Sequence, residues 1–320
     1  MFPQFLCIGA QKAGSSWLAA NLQCHPQIHI PKKEVHYFDA DYYLNQSRPD
    51  RLRNPQFRKT FAKALSADLT RLRLPKAWWQ ARYYLGPRSD RWYASLFHPR
   101  PGQVCGDITP AYSTLETDVI EHIAELMPGL KVILIMRNPV DRAFSAAKMC
   151  VRKGVSGFQD ATGDVNDVNP EAFIRYVREP WVIRRGDYMR MINDWERFFP
   201  REQLFYGFME DIVDRPYGLL CDVSRFLGID VSRRYFKSER AEKAANAGEG
   251  SPMPEKVSRH LSEMYCDEMR QLAAHFSGKE RESGYIDGWL EKARATLAEP
   301  TARAASLSSP GRGREQAGQA

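Results

Sequence analysis

Residues 5–17 read Phe-Leu-Cys-Ile-Gly-Ala-Gln-Lys-Ala-Gly-Ser-Ser-Trp, a short apolar run followed by a polar loop between two glycines. The apolar run predicts a buried strand, and the pattern from Trp17 to Leu22 predicts a helix. A strand, a loop and a helix in this order open a parallel α/β sheet. Gly9 and Gly14 have the G-x4-G spacing of loops whose backbone N–H groups bind phosphate.

The same alternation of strand and helix continues along the chain. Lys131–Met136 is the clearest buried strand, and it is followed by Asn138 as a helix cap and Pro139 at the first helical position. Further strands are predicted at 104–107 and 204–209, and further helices at 118–127, 188–199, 217–227 and 255–276. We therefore expect a three-layer α/β/α fold with a mostly parallel central sheet and a P-loop-like nucleotide cradle.

The remaining segments carry weaker patterns. We expect helices and long loops at 41–100, and loops at 154–170 and 244–254. Residues 1–296 are predicted to form a single domain. The tail at 297–320 is mostly Ala, Ser, Gly and Arg without periodicity, and is expected to be disordered.

Composition narrows the class of protein. The chain has 320 residues, 43% of them hydrophobic, and six scattered cysteines without a CxxC pair, which predicts reduced thiols rather than a zinc ribbon or disulfides. No signal-peptide pattern and no membrane-length apolar stretch is recognised, so we expect a soluble cytoplasmic protein. The net charge of +7 reads as spread along the chain. No zinc-finger spacing and no repeat of interleaved aromatic and basic residues indicates nucleic acid as a partner.

The loop at 9–16 departs from that of a nucleotide triphosphatase at two decisive positions. Ser15 stands where the phosphate-binding lysine is expected, and the lysine of the loop is Lys12. Arg137 ends the strand 131–136, where an NTPase has an aspartate that helps to hold magnesium. An arginine there repels a metal and attracts an anion, which predicts a phosphate cradle that works without a metal.

These residues resemble the donor-binding motifs of sulfotransferases that use 3′-phosphoadenosine 5′-phosphosulfate (PAPS). Residues 12–17 are similar to the family's 5′-phosphosulfate loop, and Arg137-Asn138-Pro139 with Ser145 is similar to its 3′-phosphate motif. The resemblance implies PAPS as co-substrate, no metal, and Trp17 beside the adenine. The implied PAPS-binding residues are Lys12, Ala13, Gly14, Ser15, Ser16, Trp17, Arg137 and Ser145.

Sulfuryl transfer needs a stabilised leaving group and a base. Negative charge builds on the bridging oxygen as the nucleotide leaves, and Lys12 is our candidate for its stabilisation. Side chains two apart share a face of an extended segment, so Glu34 and His36 are both candidates for the general base. Residues 33–39 (Lys-Glu-Val-His-Tyr-Phe-Asp) resemble a segment of the heparan-type glycan sulfotransferases, which implies Glu34 as base and favours a carbohydrate or glycolipid acceptor.

Several expectations stay open at this level. Ile108 occupies the place of a lysine in the similar glycan enzymes, which weakens the case for a heparan-like polyanionic acceptor and for a fully shared catalytic set. Asp107 is either a site residue or a turn or cap residue. Three further cations are candidates for contact with the acceptor or the 3′-phosphate, or are ordinary surface residues: Arg184, Arg185 and Lys243. A P-loop kinase or NTPase and a non-catalytic member of the family remain as alternatives.

Overall fold

Five short strands, almost entirely buried, form the centre of the protein, as is typical of a parallel sheet covered on both faces. The computed structural model describes residues 1–39, 52–154, 168–242 and 252–299. The strands are Phe5–Gly9 (β1), Ile28–His29 (β2), Val104–Ile108 (β3), Lys131–Met136 (β4) and Leu204–Phe208 (β5). Their order across the sheet is β2-β3-β1-β4-β5, and neighbouring strands pair in parallel.

Helices connect and cover these strands. They are Ser15–Leu22 (α1), Pro55–Leu69 (α2), Leu74–Leu85 (α3), Asp90–Ala94 (α4), Thr117–Leu126 (α5), Pro139–Arg152 (α6), Pro170–Val177 (α7), Pro180–Arg184 (α8), Tyr188–Glu196 (α9), Met209–Asp214 (α10), Pro216–Leu227 (α11), Ser238–Ala241 (α12), Glu255–His275 (α13) and Glu280–Ala298 (α14). A short 3₁₀ helix, Pro110–Thr114, follows β3. The predicted α/β class with a parallel sheet is confirmed.

The order of the strands determines where a ligand can bind. From β1 the chain first builds β2 and β3 on one side, and it then crosses to build β4 and β5 on the other side. In open α/β sheets, ligands bind beyond the carboxyl ends of the strands at the point where this direction changes. Here that point lies between β1 and β4. The 9–16 loop follows β1, and Arg137 is the first residue after β4.

The C-terminal part of the domain differs from the expectation. Helix α14 was not predicted, and it continues through Leu297 and Ala298, two residues beyond the expected domain boundary at 296. It buries Ile286, Trp289 and Leu290, so it belongs to the folded domain. The rest of the predicted tail, 300–320, lies outside the described residues.

The structure bears on two of the compositional expectations. Within the described ranges, no helix combines the length and the apolar character that a membrane crossing requires. All six cysteines lie in these ranges and none is in a disulfide. A cytoplasmic location stays a prediction.

Candidate active site

The loop after β1 presents the N-terminus of α1 to a cleft at the switch point of the sheet. Gly14 adopts a left-handed backbone with φ of 101° and precedes the first residue of α1. A Cβ at this position would lie 2.3 Å from Ile212 Cδ1, so both the turn and the packing require glycine. No side chain caps α1, so the first backbone N–H groups of the helix stay open to an anion.

The cleft has a volume of about 270 Å³ and polar walls. Its lining comes from the 9–16 loop, the 33–39 segment, the 3₁₀ helix after β3, the turn after β4, α6 with its C-cap, and the start of α10. The lining residues are Gln11, Lys12, Gly14, Ser15, Ser16, Lys33, Glu34, Pro110, Arg137, Ser145, Met149, Lys153 and Met209. The structure thus brings together Lys12, Gly14, Ser15, Ser16, Glu34, Arg137 and Ser145, which the sequence places in three distant stretches.

An excess of positive charge surrounds Lys12. Burial, followed by the charges of Arg137, Arg152 and Lys153, lowers the pKa of its ammonium group. Within the part of the chain that the structure describes, neither Lys12 nor Arg137 nor Lys153 forms an ion pair with a carboxylate. Uncompensated cations in a half-buried cleft favour the binding of an anion with several negative charges.

Arg137 is held in place by its backbone as well as by its side chain. The hydroxyl of buried Tyr188 donates to the carbonyl of Arg137 at 2.9 Å and accepts from its N–H at 3.3 Å. The guanidinium Nη1 donates to the carbonyl of Lys12 at 3.2 Å, which joins the ends of β4 and of the phosphate loop. As predicted, Asn138 caps α6, and it accepts from the N–H of Val140 at 2.9 Å.

Two of the predicted nucleotide-binding residues do not line the cleft. Ala13 is buried, and its N–H donates to the carbonyl of Ala10, so it is not open to a ligand. Trp17 is also buried, and its indole N–H donates to the carbonyl of Ala241 at 2.9 Å. The prediction of an adenine contact for Trp17 therefore has no support from its position: the ring packs in the core and ties α1 to α12.

Glu34 and His36 form one charged cluster with Lys33 and Asp39. Glu34 accepts from Lys33 Nζ at 3.0 Å and from His36 Nε2 at 3.0 Å, and the other imidazole nitrogen donates to Asp39 Oδ2 at 2.6 Å. The expected proximity of Glu34 and His36 is present, but the expected reason is wrong. The segment is not a strand beyond a bridge at Lys33, and His36 has a left-handed φ of 55°.

The cluster determines which of the two residues is charged. Burial alone raises the pKa of Glu34, but the hydrogen bond from His36 and the charge of Lys33 outweigh it and lower the pKa to about 2. Burial alone lowers the pKa of His36, but hydrogen bonds to Asp39 and Glu34 raise it to about 9. At neutral pH Glu34 is therefore an ionised acceptor, and His36 is an imidazolium with no free lone pair.

A buried carboxylate below the cluster holds the 33–39 segment in place. Asp107 is fully buried and accepts from Thr109 Oγ1 at 2.7 Å and from the hydroxyls of Tyr93 at 2.9 Å and Tyr112 at 3.0 Å. In turn, Thr109 Oγ1 accepts the N–H of Val35 at 3.0 Å, and Tyr112 accepts the N–H of Tyr37 at 2.9 Å. Of the two expectations for Asp107, a structural role next to the site fits its contacts.

A lysine next to Ile108 in the structure reaches the cleft. Ile108 is buried at the end of β3, and its backbone pairs with Lys33. The ammonium group of Lys33 reaches into the cleft, where it also donates to Ser16 Oγ at 3.1 Å. Sequence reasoning missed Lys33 as a site residue, although its position directly before Glu34 was the available signal.

Arg184 and Arg185 do not line the cleft. Arg184 pairs with Glu116 at 2.6 Å, and the Arg185 guanidinium lies 4.9 Å from the ring centre of Trp181. Lys243 and residues 244–251 of the expected loop lie outside the described residues, as do residues 155–167. The aromatic residues of 78–93 serve mainly in packing: Trp79 stacks on Tyr83 at 5.2 Å, and Trp92 and Tyr93 are buried.

The comparisons with known proteins agree with this geometry. A heparan sulfate glucosamine 3-O-sulfotransferase 6 from mouse is 25% identical over 262 residues, which cover 79% of this chain and 61% of that protein. The human protein of the same name is 26% identical over 233 residues, or 71% of this chain and 53% of that protein. The chain thus spans less than two thirds of the length of these curated relatives.

Solved structures share the fold. A sulfotransferase from Alicyclobacillus acidocaldarius has a TM-score of 0.56 and 23% identity, with 86% of this chain and 95% of that chain covered. Mouse sulfotransferase SULT7A1, solved with PAP, has a TM-score of 0.50 and 14% identity, with 90% and 88% covered. A model of the sulfotransferase family matches residues 3–233, which is most of the folded domain. On this match, which includes the phosphate loop, the Glu34 segment and Arg137, the chain belongs to the sulfotransferase family.

Proposed function

We propose that the protein is an enzyme that moves the sulfuryl group of PAPS to a hydroxyl or amine of a carbohydrate or glycolipid. The observation that carries this proposal is the composition of the cleft: Lys12, Arg137 and Lys153, which pair with no carboxylate of the described residues, line it together with a helix N-terminus and the ionised Glu34. The glycan acceptor is supported by the printed names of the curated relatives and by the residues 33–39.

The donor would bind along the line from α1 to α6. The open N–H groups of α1, with Lys12 and the hydroxyls of Ser15 and Ser16, suit the 5′-phosphosulfate. Arg137 and Ser145 also line the cleft and suit the 3′-phosphate. Since Arg137 stands where an NTPase keeps its metal-holding acid, these contacts would neutralise the nucleotide without a metal.

The departing phosphate would be stabilised by two lysines. As the sulfur–oxygen bond breaks, negative charge develops on the oxygen that stays with the nucleotide, and a cation at that atom lowers the barrier. Lys12 lies in the phosphate loop, and Lys33 lies between Ser16 and Glu34. Lys33 would therefore stabilise the leaving group next to the base that activates the acceptor.

Glu34 would act as the general base. The acceptor hydroxyl gives its proton to the Glu34 carboxylate while its oxygen forms a bond to sulfur, and adenosine 3′,5′-bisphosphate leaves. His36 is a poor alternative as base, because its raised pKa keeps it protonated at neutral pH. It would instead hold Glu34 in orientation, with Asp39 behind it.

The substitution Glu34→Gln tests this assignment. The amide is similar in size but cannot accept the proton, so turnover with radiolabelled PAPS and a panel of carbohydrate acceptors should fall by roughly 10²–10⁴-fold. Affinity for adenosine 3′,5′-bisphosphate, measured by calorimetry, should stay within about threefold of the unchanged protein. Full turnover of Glu34→Gln would assign the base to another residue.

A further inference from the structure

The two antiparallel helices α2 and α3 form a helical hairpin, residues 55–85, that projects its turn into solvent. At its base Phe57 packs on Tyr84 with ring centres 5.5 Å apart, and the hydroxyl of Tyr83 donates to the carbonyl of Val35 at 3.0 Å. The base is thus anchored to the segment that carries Glu34. The opposite end, residues 69–78, is called the tip below.

The tip exposes large apolar side chains that no described element covers. Leu72 is 84% exposed, Trp78 68%, Leu74 64% and Leu69 45%. A single exposed leucine is ordinary, but four such side chains within ten residues form a patch of the kind that marks an interaction surface. The side chains of α3 that are buried in the fold are those of Ala77, Tyr83 and Tyr84, so Leu74 and Trp78 are not needed for its packing.

Basic residues alternate with these apolar residues. Arg71, Arg73 and Lys76 are exposed and, within the described ranges, pair with no carboxylate. Residues 55–85 contain seven basic residues and one acidic residue, a net charge of +6, compared with +7 for the whole chain. The positive charge is therefore concentrated in the hairpin, and the expectation of an even spread was wrong.

We propose that the tip binds the surface of an anionic lipid bilayer. Leucine side chains enter the acyl boundary, tryptophan prefers the level of the headgroups, and arginine and lysine neutralise anionic lipids around them. A soluble polyanion would be bound by the cations but would gain nothing from Leu72, Leu74 and Trp78. The exposed apolar side chains therefore favour a bilayer over a glycan or nucleic acid as the partner.

The geometry joins this surface to the cleft. Tyr83, which contacts the Glu34 segment, lies nine residues along α3 from Leu74, or about 14 Å at the helical rise per residue. A tip inserted into headgroups would keep the Glu34 segment close to the membrane surface. Lipid binding itself requires neither donor nor acceptor, so it stands or falls independently of the proposed function.

Vesicle sedimentation tests the proposal on the full chain. Large vesicles of phosphatidylcholine with phosphatidylserine should sediment the protein at low salt, whereas pure phosphatidylcholine vesicles should not. The double variants Leu72→Ser/Trp78→Ser and Arg71→Glu/Arg73→Glu should each reduce partitioning by at least about tenfold. Matched controls elsewhere on the surface, Val213→Ser and Arg175→Glu/Lys237→Glu, should partition as the unchanged protein does.

Two further readouts keep the test decisive. Quenching of tryptophan fluorescence by brominated lipid should be weaker in Trp78→Phe than in the unchanged protein, and this substitution does not threaten folding because the side chain is exposed. Absence of binding to phosphatidylserine vesicles would overturn the proposal. So would binding that survives Leu72→Ser/Trp78→Ser and is displaced by dextran sulfate, because the tip would then be a polyanion site.

Discussion

The charge on Glu34 depends on three neighbours that the sequence places within five positions of it. Lys33 and His36 donate to its carboxylate, and Asp39 holds the far side of the imidazole. Their combined effect lowers the pKa of Glu34 to about 2 and raises that of His36 to about 9. Glu34 is therefore ionised at neutral pH, and its neighbours would fix the orientation of the proposed base while lowering its basicity.

The pH dependence of turnover should show the state of His36. Glu34 stays ionised throughout the neutral range, so it should cause no acid limb above about pH 3. Since the folded pKa of His36 is raised, its stabilising charge is fully present below its ordinary pKa and is lost as the pH rises through about 9. We expect kcat to fall across this alkaline range in the unchanged protein and to lack that limb in His36→Asn. The same alkaline limb in both proteins would contradict the role given to His36.

Two tyrosines offer a matched test of the network below the segment. Tyr93 and Tyr112 are both fully buried and both donate to Asp107 Oδ2, but only Tyr112 also accepts the N–H of Tyr37. Removal of either hydroxyl should cost a similar stability, of about 1–2 kcal/mol. Tyr112→Phe should in addition lower kcat by about tenfold or more, because an error in the position of a catalytic group is costly. Thermal unfolding and kinetics measure both quantities, and equal kcat losses would reduce the network to ordinary packing.

At the level of elements, the proposed donor site lies where the carboxyl ends of β1 and β4 are adjacent. The loop after β1 supplies Lys12 and the open helix N-terminus, and the turn after β4 supplies Arg137. In the proposed mode of binding neither element is sufficient alone, because the loop would contact one end of the nucleotide and Arg137 the other. The bond from Arg137 to the carbonyl of Lys12 keeps the two at a constant separation.

The substitution Arg137→Ala should distinguish the contacts at the 3′-phosphate of the donor from those at its 5′-phosphate. Loss of a charge-assisted contact to the 3′-phosphate should weaken the binding of adenosine 3′,5′-bisphosphate by about 10- to 100-fold. Adenosine 5′-monophosphate, which lacks that phosphate, should lose little. The matched variant Lys12→Ala should weaken the binding of both ligands by a similar factor, since the proposed contact of Lys12 is with the 5′-phosphate that both ligands carry. Calorimetry measures all four changes, and an equal loss of both ligands in Arg137→Ala would remove this residue from the 3′ site.

The elements that short-range sequence patterns specify were predicted correctly. The strands β1 and β4 are apolar runs bounded by turn residues, and Asn138-Pro139 announces α6, so all three were within reach of the sequence. The 33–39 segment was not, because its shape comes from hydrogen bonds to Thr109 and Tyr112, some 75 residues away. The hydrogen bond of Trp17 could not be predicted for the same kind of reason, because only the fold brings the carbonyl of Ala241 to its indole N–H.

The weakly periodic region before residue 100 shows a further limit. Helices α2 and α3 were expected only in general terms, since their apolar residues divide between a buried side and an exposed tip. A mixed pattern of this kind blurs the period on which a prediction of a helix rests. Helix α14 was missed although its buried residues Ile286, Trp289, Leu290 and Ala293 have the i, i+3, i+4, i+7 spacing of an amphipathic helix, so the signal was present in the sequence.

At the scale of the whole molecule, the proposed function depends on a cleft in which lysine and arginine supply the positive charge. A parallel sheet with a phosphate loop at its switch point also serves kinases and NTPases, so the fold alone does not choose the ligand. The choice lies in the residues at two positions, Ser15 after the second glycine of the loop and Arg137 at the end of β4.

The most direct test of this claim is a calorimetric comparison of two nucleotides on the unmodified protein. Adenosine 3′,5′-bisphosphate without any metal should bind with a Kd in the range of about 1 μM or below, and added EDTA should not change it. ATP with magnesium should bind at least about a hundredfold more weakly, which corresponds to the loss of the 3′-phosphate contacts and to repulsion of the metal by Arg137. Tight binding of magnesium-ATP together with weak, EDTA-sensitive binding of the bisphosphate would contradict the account.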